Sequence, residues 1–472
     1  MTNGPVDEIK HNFVYLDKAL SGYDARFTLK VLRGLPALRR QLDSEVLGEI
    51  IKSTYPQNDP AGQELLRVVA SGEAAGTVAT KMSDGTEDAV IELPSPETDA
   101  YVHLLVQIWL LHRDVPDQFY TFSQTALAHL RKYDRRSLDF VVAKIWFYYV
   151  RAAELTDNLE HVVPPLMAGL RTATLRHDAE TQGMLVILLL RSYLLLNKIS
   201  QAAGIISKTS FPPAASNSLA ARYYYYLSRV SAIQLDYSSA FEQITAAIRK
   251  VPQSPASIGF LQTAHKLSIV IELLMGEIPD REVFKKPEFR RSLAPYLALT
   301  RAVRAGDIQQ FGSVLVAEAS ALKADHNYAL ACRLRQNVIK TGIRILSLTY
   351  SRISLKDICI KLCLDGEESA EYIVAKAIRD GVIDAEINHQ YGYMQSKEVT
   401  DIYSTAEPQY TFHERIKFCM ALHDDSVKAM RYLSPDHAAD LKEAEEARER
   451  EKELVTEIQE GTDLEDDDDF EL

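Results

Sequence analysis

A chain of 472 residues, 46 % of them apolar, has material for more than one hydrophobic core. Its formal charge of −13 sits almost wholly at one end: His437 to Leu472 holds 16 acidic and four basic residues, so the remainder is nearly neutral. A neutral body excludes the broad cationic surface that counterion release on a nucleic acid demands. Four cysteines, none at zinc-motif spacing from a histidine, exclude a disulfide or zinc framework.

The start, MTNGPVDEIKHNF, lacks the basic and apolar regions of a signal peptide, and a reducing compartment is expected. Two helices are predicted over Asn12–Ser21 and Tyr23–Ile51, the second punctuated by Pro36. Residues 57–98 read as a flexible insertion within an N-terminal segment, 1–99. Small and polar residues dominate there, leaving little apolar surface to offset the entropy of ordering.

Residues 100–349 read as a helical-repeat array. Candidate helices are Ala100–His112, Gln118–Tyr133, Leu138–Leu155, Val163–Arg176, Ala179–Asn197, Ile199–Lys208, Ala214–Gln234, Ser238–Lys250 and Ile258–Met275. The most apolar run, Met184–Leu196, is broken by Arg191 and Ser192 and is too short to span a bilayer. Short-linked helices bury their apolar faces pairwise, and a run this long implies an α-solenoid. One window, Ala221–Ser254, fits a 34-residue tetratricopeptide-type pair. Tyr224, Leu227, Ala240, Ile244, Ala247 and Pro252 fall at the expected positions, while Ser228 and Ser231 depart from Gly and Tyr. The Tyr223–Tyr226 run reads as packing rather than a base-stacking platform, because four consecutive helical residues point all round. After Pro279, Pro287 and Pro295, helices are predicted over Tyr296–Ala305, Ile308–Leu322 and Tyr328–Leu348.

Residues 350–400 carry the signature of a winged helix. Ser354 and Asp357 form an S-x-x-D cap ahead of Leu355, Ile358 and Leu362 at helical spacing. Asp365-Gly366 breaks that helix, and a second runs from about Glu367 to Asp380 with Ala370, Ile373, Ala377 and Ile378 on its apolar side. Gly381 ends it. The period then changes to two at Ile383, Ala385 and Ile387, with Gly392–Gln395 returning as the partner strand. Residues 401–460 read as C-terminal helices. Within them Leu441–Glu460 is charged, with Leu454, Val455 and Ile458 as a narrow apolar strip. Residues 461–472 read as an acidic disordered tail.

Tyr350–Leu355 followed by Ile373–Ile383 (IVAKAIRDGVI) resembles the PCI domain, a module of scaffold subunits in the proteasome lid, the signalosome and the translation initiation factor three complex. Arg333–Leu355, Gly276–Arg281 (GEIPDR) and Gln395–Tyr432 are similar to the lid branch of that family, the non-ATPase subunits of the 19S regulatory particle. The similarity is close from about Tyr223 onward and weaker before it. It implies a mainly α fold: a right-handed α-solenoid of TPR-like repeats, a winged helix completing a PCI domain over about 221–400, and a C-terminal helix with an acidic tail. It further implies a non-catalytic hetero-oligomeric scaffold in cytoplasm and nucleus, supporting degradation of ubiquitinated proteins. Its partners would be neighbouring PCI subunits and a small acidic disordered lid subunit, with no cofactor, metal, membrane or nucleic acid. A PCI scaffold of the signalosome or initiation factor is the alternative.

Two sets of residues are candidates for such assembly. Ile383, Ala385, Ile387 and Tyr393 mark a sheet edge for strand addition; Leu454, Val455 and Ile458 mark a bundle helix. Catalytic residues are not expected. His413-Glu414 opens like a zinc-protease helix, but Lys417 stands where the second histidine belongs. Cys332, Cys359, Cys363 and Cys419 read as buried, inert thiols, and His389 as a hairpin-tip residue. A winged helix that reads DNA is the competitor. Glu367, Glu368, Glu371 and Asp380 outweigh Lys376 and Arg379 on the helix that would enter the groove.

Overall fold

The structure is a computed structural model in which residues 4–22, 24–56, 59–74, 94–133, 135–252, 254–364, 366–397, 402–432 and 442–452 are described. It divides into two compact units, one ending at Ile271 and the other beginning at Glu272.

The first unit opens with α1 (Pro5–Gly22), α2 (Ala25–Leu38), α3 (Ser44–Thr54) and α4 (Pro60–Ala74). The last of these falls within the expected flexible insertion and corrects it: Leu65 and Val69 of α4, at i, i+4, are buried, and Ala61, Leu66 and Val68 pack against the same core. Residues 75–93 lie outside the described residues. The unit continues with α5 (Pro96–His112), α6 (Pro116–Leu130), α7 (Asp139–Leu155), α8 (Leu159–Arg176), α9 (Ala179–Leu195), α10 (Ile199–Lys208), α11 (Asn217–Ile233), α12 (Tyr237–Lys250) and α13 (Ile258–Met275), the last crossing the division.

Packing follows an alternating rule. Helices α5, α7, α9 and α11 pack side by side in one layer, while α6, α8, α10 and α12 pair with them from a second. This is why α5 and α9 read as apolar all round: each has neighbours on both sides and beneath, and Trp109, Tyr101, Leu185 and Leu189 are almost completely buried. A residue in left-handed conformation follows each first-layer helix, at Asp114, Asp157, Asn197 and Leu235. Those turns recur at intervals of about 40 residues. In the pair α11–α12 the departure at Ser228 has a structural use. The side chain is fully buried and its Oγ donates to the Ala240 carbonyl at 2.7 Å, filling the space beside a residue that stays small. Helix α13 has the length and hydropathy to cross a bilayer, but Ala264, Leu267, Val270 and Ile271 are buried, as in a core helix.

The second unit contains α14 (Arg281–Lys285), α15 (Ala294–Ala305), α16 (Ile308–Ala317), α17 (Ala319–Ala324), α18 (Tyr328–Arg333) and α19 (Arg335–Thr349). Asn337 of α19 donates through Nδ2 to the carbonyls of Leu273 and Leu274, closing the C-terminal end of α13. A winged helix follows: β1 (Arg352–Ser354), α20 (Leu355–Leu362), α21 (Glu367–Arg379), β2 (Ala385–Asn388) and β3 (Tyr393–Ser396). Ser354 caps α20 as expected, accepting from the Asp357 amide at 3.1 Å and donating to its carboxylate at 2.8 Å. Ile343 and Leu346 of α19 join Ile353, Ile358, Leu362, Val374, Ile383 and Met394 in one core. The module is therefore seated on α19. Gly342 allows the close approach, since a Cβ there would lie 2.7 Å from Leu362 Cδ2 and 2.9 Å from the Gly306 carbonyl oxygen. Beyond the sheet, α22 (Glu407–Tyr432) is the longest helix described, and residues 442–452 are helical.

Candidate assembly surfaces

The winged-helix sheet has strand order β1-β3-β2, antiparallel throughout. Met394 sits between Ile353 and Ile387, and this row faces the core. Arg352, Gln395 and Glu386 lie on the exposed face. Among the described residues no strand pairs with the outer side of β2, so the backbone of Ala385–Asn388 presents an open edge. Ile383 and Ala385 are buried and Ile387 partly buried, so these side chains hold the strand in place while its backbone faces outward. Tyr393 is corrected. It lies on the central strand, paired with Ser354 on one side and Asn388 on the other, with the Arg352 guanidinium 3.5 Å above its ring centroid. The strand that covers it, β1, is three residues long, too short for an alternating pattern to show in sequence.

Around α21, acidic side chains engage Lys340, Lys356 and His389. Lys340 Nζ lies 2.9 Å from Asp380 Oδ2, His389 Nδ1 2.8 Å from Glu371 Oε1, and Lys356 Nζ 3.6 Å from Glu367 Oε1. Lys340 accordingly holds the Asp380 carboxyl below its usual range. A helix so furnished repels phosphate.

Helix α22 is exposed at every described side chain except Pro408 and Val427, which are half-buried. Phe412, Ile416, Met420, Val427 and Met430 recur at helical spacing along one face, and Phe418 and Leu422 lie on another. A helix apolar on two faces needs neighbours on both. The sequence carried this signal in the i, i+4, i+8 spacing from Phe412, yet the bundle role was expected at Leu454, Val455 and Ile458, which lie outside the described residues. His413 and Lys417 lie on this same exposed helix. Burial of the thiols is also corrected: Cys332, Cys363 and Cys419 are exposed, and Cys359 is half-buried with its Sγ 3.1 Å from the Leu364 carbonyl. Helical spacing from apolar neighbours places a residue beside a buried face without placing it on that face.

The first unit contributes a cleft of about 600 Å³ along the α5, α7, α9 and α11 layer. Arg39, Arg151, Arg191 and Arg222 line it against Asp114 and Glu154, an excess of positive charge, with Phe147, Tyr225 and Phe260 among its apolar walls. Arg191 is the organising residue. Its Nε and Nη2 donate to the two Glu154 oxygens at 2.5 and 3.1 Å, and its Nη1 to Tyr226 Oη at 3.0 Å. Burial opposes its charge, but those bonds hold the guanidinium above its ordinary range. The tyrosine run thus divides: Tyr223 stacks on Phe211 in the interior, Tyr224 lies under Lys250, and Tyr225 and Tyr226 face the cleft.

Comparison with known proteins agrees with this architecture part by part. Residues 2–300 match the family described as PSMD3-like, N-terminal TPR repeats. Residues 309–398 match the PCI domain, and residues 401–469 match the family of C-terminal regions of proteasome regulatory subunits. The chain is 47 % identical to the probable 26S proteasome non-ATPase regulatory subunit 3 of Anopheles gambiae, across 98 % of this chain and 92 % of the relative. It is 44 % identical to the probable 26S proteasome regulatory subunit rpn3 of Schizosaccharomyces pombe, across 94 % and 89 %. The chain belongs to the 26S proteasome non-ATPase regulatory subunit 3 family. A further member, the 26S proteasome regulatory subunit RPN3 of Saccharomyces cerevisiae, is 40 % identical across 88 % of this chain and 84 % of its own length. Similarity to the subunit 3 family thus reaches through the first hundred residues, where no recognisable motif stands in the sequence. The family also removes the signalosome and initiation-factor alternatives, since these relatives are proteasome subunits.

Proposed function

We propose that this chain is a non-catalytic scaffold of the lid of the 19S regulatory particle, located in cytoplasm and nucleus, and that it supports degradation of ubiquitinated proteins by holding neighbouring subunits in place. The observation that carries this reading is α22, a 26-residue helix whose apolar side chains are exposed on two faces. Such a helix is stable in water only when other helices cover it. The open edge of β2 adds a second, directional contact, in which the sheet is continued by a strand from a neighbouring PCI protein. The cationic, aromatic cleft of the first unit suits the small acidic disordered lid subunit, whose carboxylates and apolar side chains complement it. Family membership supports the proteasome as the assembly.

Affinity purification of the tagged full-length chain at physiological salt tests this reading. Recovery of lid subunits together with proteasome ATPases is expected. A chain recovered alone, or with another multisubunit complex, overturns it.

A further inference from the structure

Three ionisable side chains converge inside the first unit, away from every surface described above. Asp99 and His103 lie four residues apart on α5 and therefore on one face, and His129 comes from α6. His129 Nε2 is 2.8 Å from Asp99 Oδ2, and His103 Nδ1 is 3.3 Å from Asp99 Oδ1. One ligand atom from each residue lies within 4.8 Å of the other two. We propose that Asp99, His103 and His129 form a binding site for a divalent transition-metal ion of the Zn²⁺ type, joining α5 to α6.

The donor set is the first reason. Two imidazoles and one carboxylate suit Zn²⁺, which takes such ligands at about 2.0–2.2 Å and therefore spaces them roughly 3.3 Å apart in a tetrahedron. The Asp99 pairs with His129 Nε2 and His103 Nδ1, at 2.8 and 3.3 Å, already lie close to that spacing. The second reason is burial. Asp99 is almost fully buried, and its two carboxylate oxygens face imidazole nitrogens, Oδ2 towards His129 and Oδ1 towards His103. The third reason is the support behind the ligands. Tyr55 Oη donates to Asp99 Oδ1, and His103 Nδ1 also lies 2.9 Å from the Asp99 carbonyl oxygen, so the carboxylate and this ring are held beside each other. Tyr133 packs edge-on against His129, and Phe122 lies parallel to His103. The His129 side chain keeps 23 % exposure against 3 % for Asp99, which provides a way in. Binding replaces any proton carried by His129 Nε2 or His103 Nδ1. A neutral imidazole moves that proton to its other ring nitrogen, and a protonated one releases it to solvent.

The test uses the purified full-length chain with CoCl₂ and ZnCl₂. One equivalent of Co²⁺ is expected to give the visible absorption of a four-coordinate site, bleached by one equivalent of Zn²⁺. Zn²⁺ is also expected to raise the unfolding midpoint. Asp99→Asn and His129→Gln, each checked for native helicity by circular dichroism, are expected to abolish both signals. Tyr55→Phe, which keeps all three ligands, is expected to weaken Zn²⁺ binding about 10- to 100-fold. No Co²⁺ spectrum and no midpoint shift in the wild-type chain would mean that hydrogen bonds alone hold the three side chains together, overturning the proposal. A spectrum that survives in folded His129→Gln would overturn it too, by moving the ion elsewhere.

Discussion

Replacing Phe412, Ile416 and Met420 of α22 by serine separates assembly from folding. The three side chains are 62, 57 and 62 % exposed and point along one face of a helix that, among the described residues, packs on nothing larger than the short turn Ile402–Ser404. Their removal therefore costs the isolated chain little, within about 0.5 kcal/mol per site, and serine's lower helix propensity lies within that allowance. In the assembly the cost is different. Fully burying such side chains is worth about 1.5–3 kcal/mol each; the fraction still exposed here leaves about 1 kcal/mol or more per residue to be gained on docking. The triple variant then loses on the order of 3–4 kcal/mol, a 10²- to 10³-fold weakening of association. The assay pairs thermal unfolding of the isolated chain with quantitative recovery of lid subunits on the tagged variant. An unchanged midpoint with lost recovery is expected. Full recovery, or a midpoint that falls by many degrees, would refute the reasoning: the first because the face is not an interface, the second because it is already covered.

Other perturbations address the framework. Gly342→Ala pushes a methyl against Leu362 and the Gly306 backbone and is expected to destabilise the second unit by about 1–3 kcal/mol, read as a shift in the denaturant midpoint. Ile383→Asp buries an unpaired charge in the core that holds Met394 and is expected to cost about 4 kcal/mol or more, unfolding the winged helix by amide exchange. Asp139 carries a pH signature. Burial and the neighbouring Asp178 raise its carboxyl to about 7. Stability from this group is then complete below the ordinary carboxyl range and is lost as pH rises towards 7, because the folded chain holds a proton the unfolded chain has released. Asp139→Asn is expected to flatten that slope in unfolding midpoints measured from pH 4 to 8; an unchanged slope would assign the dependence elsewhere.

Much of the fold is legible because local chemistry and tertiary packing agree. The Ser354 cap, the Leu355-Ile358-Leu362 stripe and Gly381 at φ +70° are where the sequence pattern puts them. Helix–helix packing of α5, α7, α9 and α11 likewise follows from apolar runs without alternation. Failures have physical causes. Strand β1 is stabilised by pairing with β3, a partner some 40 residues away, and its three residues have no period of their own. Helix α4 is seated by a short apolar group, chiefly Leu65, Leu66, Val68 and Val69, inside a longer stretch of small and polar residues whose average composition hides it. The arginine-lined cleft draws on helices far apart in sequence, so no spacing announces it, and in the Asp99–His103–His129 cluster only the i, i+4 pair on α5 is visible without the packing of α6. For α22 the signal is present in the spacing, but a helix whose apolar faces are not covered by its own chain reads like any surface helix.

The most direct test of the scaffold account is amide hydrogen exchange on the full-length chain, free and within the assembled lid. In the free chain, α22 and the β2 edge at Ala385–Asn388 are expected to exchange quickly, because nothing among the described residues covers them. On assembly both are expected to become strongly protected, while the core of α5 and α9 is unchanged. Equal exchange of α22 in the two states would contradict the account.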